Sequence, residues 1–79
     1  MRVLFFAQLK DAAGCAAVEL PAPAPVDADQ LWAGLLEKFP ELRIHRPTVR
    51  LARNSEYVGG DARFADGDEV ALIPPVSGG

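Results

Sequence analysis

Two strands that are apolar on both faces dictate most of what this chain can become. Successive side chains of a strand point to opposite sides. In Val3-Leu4-Phe5-Phe6-Ala7, one side therefore carries Val3, Phe5 and Ala7, and the other carries Leu4 and Phe6. Val70-Ala71-Leu72-Ile73 repeats the pattern, with Val70 and Leu72 on one side and Ala71 and Ile73 on the other. Strands of this kind belong in the middle of a sheet, yet 79 residues leave room for one domain and one core. A single helix can cover one face only. The second apolar set is then either an exposed interface patch or the lining of a small second core wrapped by a curved sheet.

The segments between these strands supply that single helix. The dense β-forming run from Arg2 to Gln8 meets a turn signal around Asp11 to Gly14. Cys15 to Leu20 fits a second strand, so the two read as a hairpin. Pro21, Pro23 and Pro25 end it, since each removes a ladder donor. Asp27 then offers an N-cap with Gln30 three residues on, the spacing of a capping box. Leu31, Trp32, Leu35, Leu36 and Phe39 form one wide apolar stripe, and Pro40 marks the helix end. Gly34, costly inside a helix, implies close packing against the sheet. Beyond a polar connection, Thr48 to Arg53 reads as a strand with Val49 and Leu51 inward, and Asn54-Ser55 as a turn. Tyr57-Val58 gives a short strand before Gly59-Gly60, Asp66-Gly67-Asp68 a tight turn, and Glu69 to Ile73 the last strand. The order predicts an α+β fold, a β-grasp roll. In it one main helix crosses a mixed sheet of four to five strands whose terminal strands are central and parallel.

Conventional chemistry is hard to find in this chain. One cysteine excludes a disulfide framework, a cysteine zinc site and an iron–sulfur cluster, and Cys15 reads as a small apolar packing residue. A net charge of -3 argues against binding nucleic acid through phosphate attraction. No apolar run approaches a membrane span, and the amino terminus does not resemble a signal peptide, so a cytoplasmic protein is expected. His45, the only histidine, sits in a charged stretch and reads as solvated. Asp66, Asp68 and Glu69 lack the spacing of a calcium loop and read as turn formers, so no metal site is expected. Arg43, Arg46, Arg50 and Arg53 read as a solvated edge, with a patch for an acidic partner as the second reading.

The end of the chain is more informative. In Pro74-Pro75-Val76-Ser77-Gly78-Gly79 two prolines stop the strand and hold the backbone extended, at about 3.1 Å per residue. Two residues without Cβ atoms then finish the polypeptide. Residues 1–75 are expected to form the β-grasp domain and 76–79 a flexible tail. Such a tail can thread a narrow channel and offer its carboxylate to another protein's active site. That carboxylate is ionised and a poor electrophile, so it must be activated before it reacts. Acyl adenylation by ATP is the obvious route. A sulfur nucleophile displacing AMP leaves a thiocarboxylate, and a lysine gives an isopeptide bond.

Val3-Leu4-Phe5-Phe6-Ala7-Gln8, Asp66-Gly67-Asp68-Glu69-Val70-Ala71 and the Pro-Pro-Val-Ser-Gly-Gly ending together resemble the small subunits of molybdopterin synthase, across essentially the whole chain. The resemblance implies a ubiquitin-like fold and no active site within the chain, which instead acts as the sulfur-donating subunit of a sulfurtransferase. It implies that Gly79 is adenylated by a ubiquitin-activating-type adenylyltransferase using ATP, and that the glycyl adenylate becomes a thiocarboxylate with sulfur from a sulfurtransferase. Gly78 gives clearance beside it. No cofactor is bound by the chain itself. The tail would enter the large synthase subunit, in a two-plus-two heterotetramer, and deliver sulfur to cyclic pyranopterin monophosphate. Phe6, Tyr57, Ile73, Pro74, Pro75 and Val76 fall at positions the resemblance assigns to partner contact. Two other readings are a sulfur carrier for another pathway (thiamine, a thiolated nucleoside or an amino acid) and a non-covalent ubiquitin-like adaptor. The ending favours the first reading.

Overall fold

A five-stranded sheet in the order β2-β1-β7-β4-β5 carries the molecule, with its helices on one side. The structure is a computed structural model, and it describes residues 1–75. The elements in chain order are β1 (Arg2–Phe5), α1 (Gln8–Ala13), β2 (Ala17–Glu19), β3 (Val26–Asp27) and α2 (Ala28–Lys38). Two 3-10 turns follow, Pro40–Ile44 and Arg46–Thr48, and then β4 (Arg50–Arg53), β5 (Glu56–Tyr57), β6 (Arg63–Phe64) and β7 (Glu69–Ile73). The first and last strands pair in parallel at the centre, Arg2 with Glu69 through Phe5 with Leu72, as the order of elements predicts. β2 and β4 flank them antiparallel, and β5 closes the far edge.

One face of this sheet makes the core. Val3, Phe5, Val70 and Leu72 are buried there against Leu31, Trp32 and Leu35 of α2, together with Leu9, Leu42 and Phe64. The Phe5 and Phe39 rings meet edge to face, centroids 5.4 Å apart at 77°. α2 begins in the predicted capping box. The Gln30 N–H donates to Asp27 Oδ1 at 2.8 Å, and the Asp27 N–H donates to Gln30 Oε1 at 2.9 Å. Both orphan donors are thus satisfied at the point where the proline segment turns into the helix.

Several expectations need correction. β1 ends at Phe5, and the segment read as a turn is a six-residue helix, α1, so β1 and β2 do not form a simple hairpin. Leu9, Lys10, Ala12 and Ala13 favour helix, and Gly14 closes it in the left-handed conformation at φ 77°, its N–H donating to the Lys10 carbonyl. A helix this short does not form alone. Burial of Leu9 against the core holds it. β2 and β4 are shorter than their predicted ranges. The connection after Phe39, read as polar, is two 3-10 turns anchored by fully buried Leu42. β3 and β6 form an additional two-stranded ladder, with Val26 opposite buried Phe64. Gly34 is not packed against the sheet, since an added Cβ would meet no heavy atom within 4 Å. His45 is half-buried rather than solvated, its N–H donating to the Leu42 carbonyl and its carbonyl accepting from Thr48.

Candidate functional site

Pairing across the sheet determines which side chains share the face without helices. Leu4 stands opposite Ala17 on β2 and Ala71 on β7, Ala71 opposite Ala52 on β4, and Ala52 opposite Tyr57 on β5. Partners in register share a face, so Ala17, Leu4, Ala71, Ala52 and Tyr57 make one uncharged, largely apolar row across all five strands. At about 4.8 Å per strand it runs roughly 19 Å. None of its members belongs to the buried core cluster, so the sheet does not wrap a second core. Of the two readings of the second apolar set, the exposed face is the one found.

The rows on either side differ in character. Towards the start of β7, Arg2 is in register with both Glu19 and Glu69. Towards its end, Ile73 stands opposite Arg50. Phe6 follows the paired residues Phe5 and Leu72 on the same end of the central strands. It is 46% exposed, and Tyr57 is 58% exposed. Leu4, Ala71 and Ile73 are half-buried, each flanked by neighbouring strands but covered by no helix. Ala52, at 5%, is shielded by neighbours including Tyr57, over whose ring the Arg50 guanidinium carbon lies at 4.3 Å. After Phe6 the backbone turns sharply out of the sheet, Ala7 taking φ 51° and ψ −129° as the N-cap of α1. A hollow lined by Leu4, Phe6, Ala7, Lys10, Ala16 and Ala17 lies at that corner.

Phe6 and Ile73 thus come together at one end of the central strand pair, with Tyr57 two strands further on. Pro74 is half-buried and Pro75 exposed, continuing directly from β7. Val76, Gly78 and Gly79 lie outside the described residues. Sequence reasoning missed Ala17, Ala52 and Arg50 as parts of this face, because only cross-strand register reveals them. It also missed Ile44, which is 77% exposed on the helix side of the molecule. The Arg43–Arg53 stretch is neither one edge nor one patch. Arg46 pairs with Asp29 at 2.6 Å and lies over Trp32, Arg53 donates to the Arg63 carbonyl, and Arg50 belongs to the open face. Cys15 is half-buried and packs against the core, as its structural reading expects.

Among the described residues no group of three or more His, Cys, Asp or Glu side chains is placed to hold a metal ion. No helix among them is long and apolar enough to cross a membrane. Asp68 sits in a turn. Its Oδ2 accepts the Ala65 N–H at 2.8 Å and its Oδ1 the Asn54 side-chain amide at 3.1 Å. The Ala65 bond first, and then the Asn54 bond, hold its pKa below the ordinary aspartate value. What the molecule offers is an uncovered sheet face with a strand leading out of it.

Comparison with known proteins agrees with that picture. The model of the ThiS family matches residues 3–79. The molybdopterin synthase sulfur carrier subunit of Arabidopsis thaliana is 37% identical over 79 residues, covering all of this chain and 82% of that protein. Among solved structures, SAMP1 of Haloferax volcanii superposes with a TM-score of 0.84 at 29% identity, covering 99% of this chain and 97% of that one. A chain from the complex of subunits 1 and 2 of the molybdopterin-converting factor of Helicobacter pylori superposes with a TM-score of 0.71 at 26% identity, over 99% and 96% of the two chains. These likenesses extend over essentially the whole chain.

Proposed function

This chain belongs to the ThiS family, and from that premise we propose that it is the sulfur-carrying small subunit of a molybdopterin synthase. The observation that carries the reading is the exit of β7, a central strand, through Pro74 and Pro75 beside an apolar face that no helix covers. In this reading residues 1–75 are the part that partners grip and residues 76–79 the arm that reacts. A ubiquitin-activating-type adenylyltransferase docks on Phe6, Tyr57 and Ile73 and draws the tail into its site. A carboxylate oxygen of Gly79 attacks the α-phosphorus of ATP, pyrophosphate leaves, and the glycyl adenylate is a competent electrophile. A sulfurtransferase persulfide displaces AMP from the acyl carbon to give an acyl disulfide, and a thiol reductant then cleaves the sulfur–sulfur bond and leaves the thiocarboxylate. The same apolar face then meets the large subunit, in a two-plus-two assembly. There the thiocarboxylate sulfur bonds to cyclic pyranopterin monophosphate, and water cleaves the acyl–sulfur bond, leaving the sulfur on the substrate and returning the carboxylate.

The names of the relatives support the carrier role, and the two-subunit complex of the Helicobacter pylori relative supports a large-subunit partner. Residue chemistry supports the tail, since Gly78 and Gly79 lack the Cβ atoms that a narrow channel would reject. Dependence on ATP fits a cytoplasmic protein. The test is intact-mass measurement after incubation with the activating enzyme, ATP and a sulfur donor. Exchange of one oxygen for sulfur in the full chain, and none when Gly79 is deleted, is the expected result. A full chain that gains no sulfur under conditions that load a known carrier overturns the reading and leaves a non-covalent adaptor.

A further inference from the structure

The two ends of the open face differ in charge: Arg2, Glu19 and Glu69 stand at one, Arg50 and Lys10 at the other. At the start of β7, Arg2 stands in register between Glu19 and Glu69, and the Met1 ammonium lies 4.0 Å from Glu19 and 3.4 Å from Asp66, so two cations meet three carboxylates and leave a net negative end. At the other end Arg50 stands opposite Ile73, the last strand residue before Pro74. Among the described residues Arg50 makes no ion pair, whereas Arg46 pairs with Asp29 at 2.6 Å. Arg50 is nevertheless not loose: its guanidinium is held over the Tyr57 ring at 4.3 Å. An arginine stacked in this way keeps its planar fork of N–H donors at the edge of the stack, where a carboxylate can take two of them. Because the aromatic face restrains the side chain beforehand, less entropy is lost when a partner engages it.

Resting on the reading of the open face as the docking surface for the large subunit, we propose that Arg50, braced by Tyr57, is a specificity-determining contact for a carboxylate of that subunit. The occupant is a protein carboxylate rather than a nucleic-acid phosphate, because Glu19 and Glu69 on the same face repel a polyanion that runs along it. The apolar row between the two ends fits a protein core contact, and arginine, enriched at protein interfaces, has a planar fork that matches a carboxylate. Arg50 lies beside the root of the tail, so its ion pair sets the direction in which the chain beyond Pro75 enters the partner. A wrong partner with a cation at that place is rejected by like charge.

The test titrates the purified cognate large subunit with the full chain at low and at high salt, by calorimetry. Arg50→Glu is expected to weaken binding about tenfold or more at low salt, with the deficit shrinking as salt rises. Arg50→Gln is expected to weaken it less and to flatten the salt dependence. Circular dichroism melts check the fold. If the glutamate variant melts early, the glutamine variant is judged by the same criterion. Arg50 variants that bind as tightly as the wild type, or more tightly, at low salt overturn the assignment. Phe6→Asp, measured in parallel, separates the two levels. Its loss of binding beside unaffected Arg50 variants rejects only the arginine contact. Unchanged binding by Phe6→Asp rejects the open face as the docking surface altogether.

Discussion

Gly34 sits in the middle of α2 with open space where a Cβ would stand, so its backbone freedom is lost on folding without any gain in packing. Gly34→Ala should therefore raise stability by about 0.5–1 kcal/mol, since glycine is roughly that much worse than alanine inside a helix. For a chain of this size that amounts to a melting temperature higher by about 3–6 °C, readable in a thermal melt. A lower melting point would mean that the helix needs the bare position. The residue scale is also where the sequence is hardest to read. A glycine in a helical stripe announces a cost, but what surrounds it depends on where the Pro21–Pro25 segment goes. Arg50 is the same kind of case, because the aromatic ring it stacks on lies across a strand pair and not at a helical spacing. Phe6 and Ile73 were legible because two-faced strands state their surplus apolar side directly.

Elements with a local signal were easy to anticipate, and those held by distant contacts were not. α2 carries its start in the Asp27–Gln30 pair and its stop at Pro40, all within the helix and its flanks. α1 has six residues and one buried side chain, Leu9, so its existence depends on the core beneath it. The turn before β7 is a clearer case, with Asp68 joining Ala65 and Asn54 while the Glu69 N–H donates to Asn54 Oδ1 and the Asn54 N–H to the Glu69 carbonyl. This staple ties the β4–β5 hairpin to the first residue of the central strand. The folded Asp68 carboxyl ionises more readily than the unfolded one, so its stabilisation is fully present above about pH 4. It is lost as pH falls through the lowered folded value. The melting temperature of wild type should accordingly exceed that of Asp68→Asn near neutrality, and the two should converge as pH falls below the ordinary aspartate value. A gap that stays constant across that range would mean the ionised form contributes nothing. The side chain is half-buried at the surface, and screening by solvent keeps the effect small.

At the scale of the whole molecule, the β-grasp topology followed from the order of elements. The β3–β6 ladder did not, since two-residue strands 37 positions apart leave no periodic trace. A chain ending at Pro75 should fold like the full one, with a melting temperature within about 2 °C, because a terminus contributes stability only through contacts that tie it down. The same shortened chain should take up no sulfur in the intact-mass measurement. A marked loss of stability would instead make the last four residues part of the fold. The register that joins Arg2 to Glu69 has one more consequence. During synthesis β1 leaves the ribosome well before β7 and must wait for it before its parallel partner exists. Pairings at such sequence separation are slower to close than local ones, and the central pair cannot form until the chain through Ile73 is available. Pro74 and Pro75 gain their footing only at that moment, and a nascent or half-folded chain has no docking face to present.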